Sequence, residues 1–159
     1  MEIFAQNALT TTQAEAVYHL WNDEYPRQLG YQKMEDFHSY LNSLENKTHF
    51  LLIDDRGAVV GWALIFLRDG ENWFAIIINS NVHSKGYGTR ILNELKKREN
   101  QFVGWVIDKE GDVRADGSAY KSPLQFYLKN GFTVLPEQRI EFPISAVKIQ
   151  WQADATAQS

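Results

Sequence analysis

Cysteine is absent from this chain of 159 residues, which excludes disulfides, thiolate-held metals and cysteine nucleophiles. Proline is scarce, at four residues. No apolar run approaches the ~20 residues that a membrane helix needs. No basic run exceeds Lys96-Lys97-Arg98, and the net charge is -4, so electrostatic capture of nucleic acid is not expected. The opening Met1-Glu2-Ile3-Phe4 lacks the basic-then-apolar order of a secretion signal. His19, His38 and His49 are scattered without metal-ligand spacing. These absences lead us to expect a soluble cytoplasmic protein that uses no membrane, nucleic acid or metal.

What is present points to a packed globule. Apolar residues make up 44% and aromatics 13% of the chain, enough for one real core. We expect a single domain over 1–151 and a disordered tail over 152–159. Residues 2–8 read as a short strand. Thr10-Thr11-Thr12 offers hydroxyl caps for a helix whose apolar stripe is Ala14, Val17, Tyr18, Leu20 and Trp21, ended by Pro26. Met34, Phe37, Tyr40, Leu41 and Leu44 mark a second helix over 33–44. The pattern then switches to strands at 48–54, 58–68 and 71–79, with Asp69-Gly70 a hairpin signal.

The most informative stretch begins where that third strand ends, in Ile76-Ile77-Ile78. A short loop follows and opens straight into a helix whose apolar face is Ile91, Leu92 and Leu95. Gly86 and Gly88 let the backbone approach a ligand, and the helix start presents unpaired N–H groups at its positive end. Lys85 adds charge, and Ser84 and Thr89 add hydroxyls. A phosphate or pyrophosphate suits such a site. It is not a P-loop, because the lysine precedes the glycines. It is not the dinucleotide fingerprint either, because Ile91 stands where a third glycine belongs.

The sequence His83-Ser84-Lys85-Gly86-Tyr87-Gly88 resembles the acyl-CoA pyrophosphate loop of the GNAT superfamily of N-acetyltransferases, written Gln/Arg-x-x-Gly-x-Gly/Ala. His83 departs from that pattern by replacing a permanent donor with a group whose charge depends on pH. Downstream, the run from Ser122 through Phe126-Tyr127 to Asn130-Gly131-Phe132 is similar to the family's late helix, and residues 48–135 match in order and spacing. The resemblance implies an α/β (α+β) fold: a mixed, mostly antiparallel sheet whose central parallel strand pair splays into a V, flanked by helices. It also implies acetyl-CoA as co-substrate, with direct transfer of its acetyl group to an amine of a small molecule or peptide. A non-catalytic acyl-CoA-binding sensor, or a domain for another phosphorylated ligand, stands as an alternative.

Strand 102–107 follows the helix, and a strand-helix-strand unit of this length makes its strands parallel. A polar loop over 108–121 then leads to a helix capped at Ser122-Pro123. Phe132 to Leu135 reads as a strand, Pro136-Glu137 as a turn, and 139–151 as a last strand bent at Pro143, able to pair across a subunit boundary in a homodimer if the chain is not a monomer. The pyrophosphate is expected on Ser84, Lys85, Gly86, Tyr87, Gly88 and Thr89, beside His83, with the pantetheine arm along the backbone of Ile76, Ile77 and Ile78. By resemblance Tyr127 is the group that meets the leaving thiolate. Asp108, at the carboxyl end of its strand, is the first candidate for general base, ahead of Glu71 and Glu110. Trp21, Asp23, Glu24 and Tyr25 could wall a cationic acceptor.

Overall fold

The computed structural model describes residues 1–154. Its order is β1 (Glu2–Gln6), α1 (Thr11–Glu24), α2 (Met34–Asn42), β2 (Glu45–Ile53), β3 (Val59–Arg68), β4 (Glu71–Ile78), α3 (Tyr87–Arg98), β5 (Gln101–Ile107), α4 (Leu124–Lys129), β6 (Thr133–Ile140) and β7 (Ala146–Gln152). The strands form one sheet in the order β1-β2-β3-β4-β5-β7-β6. Every pairing is antiparallel except β4 with β5. Those two touch at one position, Trp73 opposite Val103, and part beyond it. The expected V is present.

Local chemistry explains the elements. Thr10 caps α1 in a reciprocal capping box with Gln13, which satisfies two of its orphan donors. Asp69 and Gly70 both have positive φ, the requirement of the tight turn that joins β3 to β4. Strand alternation sends Phe50, Leu52, Ala63, Ile65 and Phe74 to one face, under α3 and α4. Leu51, Trp62, Leu64, Trp73 and Ile77 go to the other, under α1 and α2.

Two expectations at the C-terminal end need correction. Pro136 and Glu137 do not form a turn; they lie inside β6, where the register with β7 shifts between Leu135 and Arg139. An edge strand with a bulge tolerates the missing proline donor. The turn instead falls at the cis Phe142–Pro143 bond, so the single bent strand is two strands. β7 is enclosed by β5 and β6 and has no free edge to offer a partner. Of the tail, Gln152 pairs with Gln101 and the Ala153 amide donates to the Asn100 carbonyl at 2.7 Å, while residues 155–159 lie outside the described residues.

His49 is one of two buried polar or charged side chains among the described residues, with 1% exposure. Its Nδ1 accepts from the Trp62 indole N–H at 3.0 Å, so the neutral ring carries its proton on Nε2. Burial, helped by the charge of Lys47, pushes its pKa down from 6.5 to about 4. The unfolded chain therefore takes the proton first. The resulting stability is complete above pH 6.5, declines as pH falls and is gone below about 4. Urea unfolding should show the wild type losing about 2 kcal/mol more than His49→Gln between pH 7 and 4.5. Equal losses would refute this role.

Candidate active site

The loop between β4 and α3 has the geometry of an anion cradle. Ser84 has φ +65° and Gly86 φ +83°. Gly86 is the N-cap of α3 and no side chain caps that end. The first helical bond runs from the Arg90 amide to the Gly86 carbonyl at 3.1 Å, and the amides of Ser84 through Thr89 donate to no group among the described residues. Six donors thus remain open at the positive end of a helix dipole. A Cβ placed on Gly86 would meet nothing within 4 Å among the described residues, so none of them fills the space above it.

Gly88 has a different task. A Cβ there would come within 2.8 Å of the Phe126 ring, so the absence of a side chain lets α4 pack on the start of α3. His83 also differs from expectation. Its Nε2 lies 2.8 Å from the Ile78 carbonyl, which turns the ring toward the end of β4 rather than the open amides.

The β4 backbone alternates in a way that sorts the three isoleucines. The Asn79 amide donates to the Val60 carbonyl, and Ile77 sits opposite Trp62; both therefore bond toward β3. Ile76 and Ile78 turn their amides toward β5, where no ladder partner exists beyond Trp73 among the described residues. Two N–H groups and the Ile76 carbonyl face the fork, and the Ile78 carbonyl is held by His83. An extended chain can pair there as an added strand does, and an oxyanion could find a donor.

Tyr127 stands on α4 with 8% exposure, edge-on to Phe74, Phe126 and Phe132 at 5.7, 5.2 and 5.2 Å. Its hydroxyl has no hydrogen-bond partner among the described residues. Burial, with a smaller contribution from Tyr120, pushes its pKa well above the ordinary phenol value. Ser122 fixes this helix by donating to the Ile107 carbonyl at the end of β5 and accepting from the Leu124 amide.

The carboxylates expected to act are occupied. Asp108 takes a two-pronged contact from Arg139 at 2.8 and 3.2 Å, which holds its carboxyl below the usual range. A depressed pKa and two engaged oxygens argue against Asp108 as the base. Glu71 pairs with Lys148 at 2.8 Å, and Glu110 accepts from the Ser122 amide at 3.2 Å. Glu24 bonds the Arg114 guanidinium at 3.0 Å and the Ser80 amide at 3.1 Å. It clasps the end of α1 to two loops instead of presenting a free charge. Trp21 is buried and donates to the Leu29 carbonyl at 2.7 Å, a core role. Asp23 is exposed, whereas Tyr25 stands edge-on to Trp21 at 4.7 Å.

Tyr120, Arg114 and Arg139 carry no motif and were not anticipated. Tyr120 packs on Ile107, Ile144 and Ala146 with Leu29 and Trp105. A small hairpin in the 108–121 loop, with Val113 bridged to Ala119 and Pro26 to Arg114, carries it to the side of the molecule where α1 ends.

Comparison with known proteins agrees with this geometry. A family model described as "Acetyltransferase (GNAT) domain" matches residues 46–134. No curated protein matches the chain in sequence. Among solved structures, aminoglycoside 6'-acetyltransferase type Ii is similar with a TM-score of 0.71 at 16% identity, covering 96% of this chain and 97% of that one. A phosphinothricin acetyltransferase from Sinorhizobium meliloti, in complex with AcCoA, gives 0.63 at 14%, covering 100% and 93%. Spermidine/spermine N-acetyltransferase from Vibrio cholerae, in complex with manganese ions, gives 0.64 at 15%, covering 94% and 92%. At these identities the likeness is one of fold.

Proposed function

Because the chain belongs to the GNAT acetyltransferase family, whose model spans more than half of it, we propose that it transfers the acetyl group of acetyl-CoA directly to a primary amine bound beside the thioester. The observation that carries this reading is the run of open amides at the start of α3 leading to the unpaired edge of β4. The first holds the diphosphate; the second lays the pantetheine arm along Ile76 and Ile78 and puts the carbonyl in the fork.

The amine nitrogen attacks the thioester carbon, and the carbonyl π pair moves to oxygen, where a β4 N–H receives it. Collapse breaks the C–S bond. The thiolate departs toward Tyr127, whose neutral phenol donates a hydrogen bond to it. The proton lost by the amine nitrogen returns to sulfur as free thiol forms. With Asp108 held by Arg139, the amine arrives as the free base and gives its first proton to solvent. Asp108 is then a positioning residue that orients the end of β5.

Calorimetry with CoA, followed by thiol release from acetyl-CoA across primary amines, tests the reading. Binding and turnover are expected. CoA binding without thiol release from any amine would leave an acyl-CoA-binding module. The pH profile tests Asp108 separately: Asp108→Asn should keep the wild-type rise of kcat/KM from pH 7 to 9, and loss of that rise would restore Asp108 as base.

A further inference from the structure

His83 stands between β4 and the loop of open amides, and its ring turns back onto the strand. Nε2 lies 2.8 Å from the Ile78 carbonyl. A carbonyl oxygen only accepts, so Nε2 carries the proton and donates it. The neighbouring Asn79 amide bonds to Val60 on the β3 side, and direction alternates along a strand, so the Ile78 carbonyl faces the fork. Beyond Trp73 that edge has no β5 ladder partner among the described residues. The imidazole is therefore the group that covers this carbonyl, on the side where a ligand would pair.

The bond can be given up at little cost. His83 is exposed, and its backbone is anchored without help from the ring. The His83 amide donates to the Ser80 carbonyl at 3.3 Å, and the Val82 amide to the Asn79 carbonyl at 3.0 Å. The Asn79 side chain accepts from the Asn81 amide at 2.8 Å, and Glu24 holds the Ser80 amide at 3.1 Å. Release of Ile78 thus needs a rotation of one side chain, fast in an exposed residue. The turn beneath it stays as it is.

An arm that leaves Ser84 to Thr89 and runs down the edge of β4 passes Ile78 before Ile76. An added strand lies about 4.8 Å from its neighbour. A ring already bonded to the Ile78 oxygen from that side stands in its path. Resting on the donor-binding half of the transferase reading above, we propose that His83 is a latch that competes with the pantetheine arm of acetyl-CoA for the Ile78 carbonyl. It is a positioning residue: in the free protein it covers a stretch of bare sheet edge, which would otherwise invite pairing with other chains. Capture of the arm then exchanges an internal hydrogen bond for a new one. Without the ring, the arm displaces only water. The latch accordingly lowers the affinity for the donor by the worth of one exposed hydrogen bond, about fivefold.

Calorimetry on wild type and His83→Ala compares CoA with ADP, which has the diphosphate and no pantetheine arm. The Kd for CoA should fall about fivefold in His83→Ala, and that for ADP should stay within twofold. Loss of a merely structural contact would weaken binding, so the direction of the change separates a latch from a support. An unchanged or raised Kd for CoA, or a matching gain for ADP, overturns the proposal. Nitrogen NMR of the wild-type imidazole follows the ring itself: saturating CoA should abolish the hydrogen-bonded Nε2–H signal, and its persistence would equally defeat the latch. Thiol release from acetyl-CoA judges the transferase reading separately. If no amine is acetylated while His83→Ala still tightens CoA, that reading fails and the latch stands; if neither protein binds CoA, both fall.

Discussion

Tyr127→Phe should lower kcat by about 100-fold while the CoA dissociation constant stays within twofold. The hydroxyl is the only group removed, and it has no partner to lose among the described residues. The ring contacts with Phe74, Phe126 and Phe132 persist in phenylalanine, so stability should change little. What disappears is the donor proposed to meet the departing thiolate, and positioned donors of this kind are worth about 10² to 10³ in rate. Its raised pKa makes the phenol a poor acid, so its contribution is a hydrogen bond held through C–S cleavage, with proton delivery completed as product forms. The proposed diphosphate grip lies elsewhere, at Ser84 to Thr89, and should not notice the change. Steady-state kinetics beside calorimetry checks both halves. A kcat within threefold of wild type would reduce Tyr127 to a packing residue.

Gly86→Val should weaken CoA binding well over tenfold. Two effects combine. The backbone there has φ +83°, a conformation costly for a β-branched residue, so the first-turn amides must reorient. The valine side chain would also enter the empty space above the loop, where the diphosphate is proposed to sit. Gly57→Val separates the two causes. Gly57 has nearly the same φ, +82°, and equally open surroundings, but lies in the turn between β2 and β3. It should cost stability and leave CoA affinity intact. Equal affinity in Gly86→Val and wild type would remove the loop from the mechanism.

Local signals located most of this architecture. The hairpin at Asp69-Gly70, the stripe of α1 and the strand-loop-helix around Gly86 are written in residues a few positions apart, where turn chemistry and periodicity act. Pro136 misled because its meaning depends on position in the sheet: a central strand excludes proline, whereas the edge place of β6 admits it. The charges were least legible. Asp108 meets Arg139 across 31 residues and Glu24 meets Arg114 across 90, and no short-range pattern announces either pair. Each looked available for chemistry in isolation, and each is held by a guanidinium in the fold. Tyr120 was hidden for the same reason, since only the folded loop carries it onto Ile107, Ile144 and Ala146.

The contact between Gly88 and Phe126 has a mechanical consequence. Because one missing methyl sets how closely α4 lies on the start of α3, the proposed clamp on the far end of a thioester and the hydroxyl proposed to meet its sulfur belong to a single rigid gauge. Lengthening or tilting that gauge by even a fraction of an ångström would leave each end intact yet mis-space the two along the same extended molecule, so drift at position 88 would register as lost turnover before lost binding.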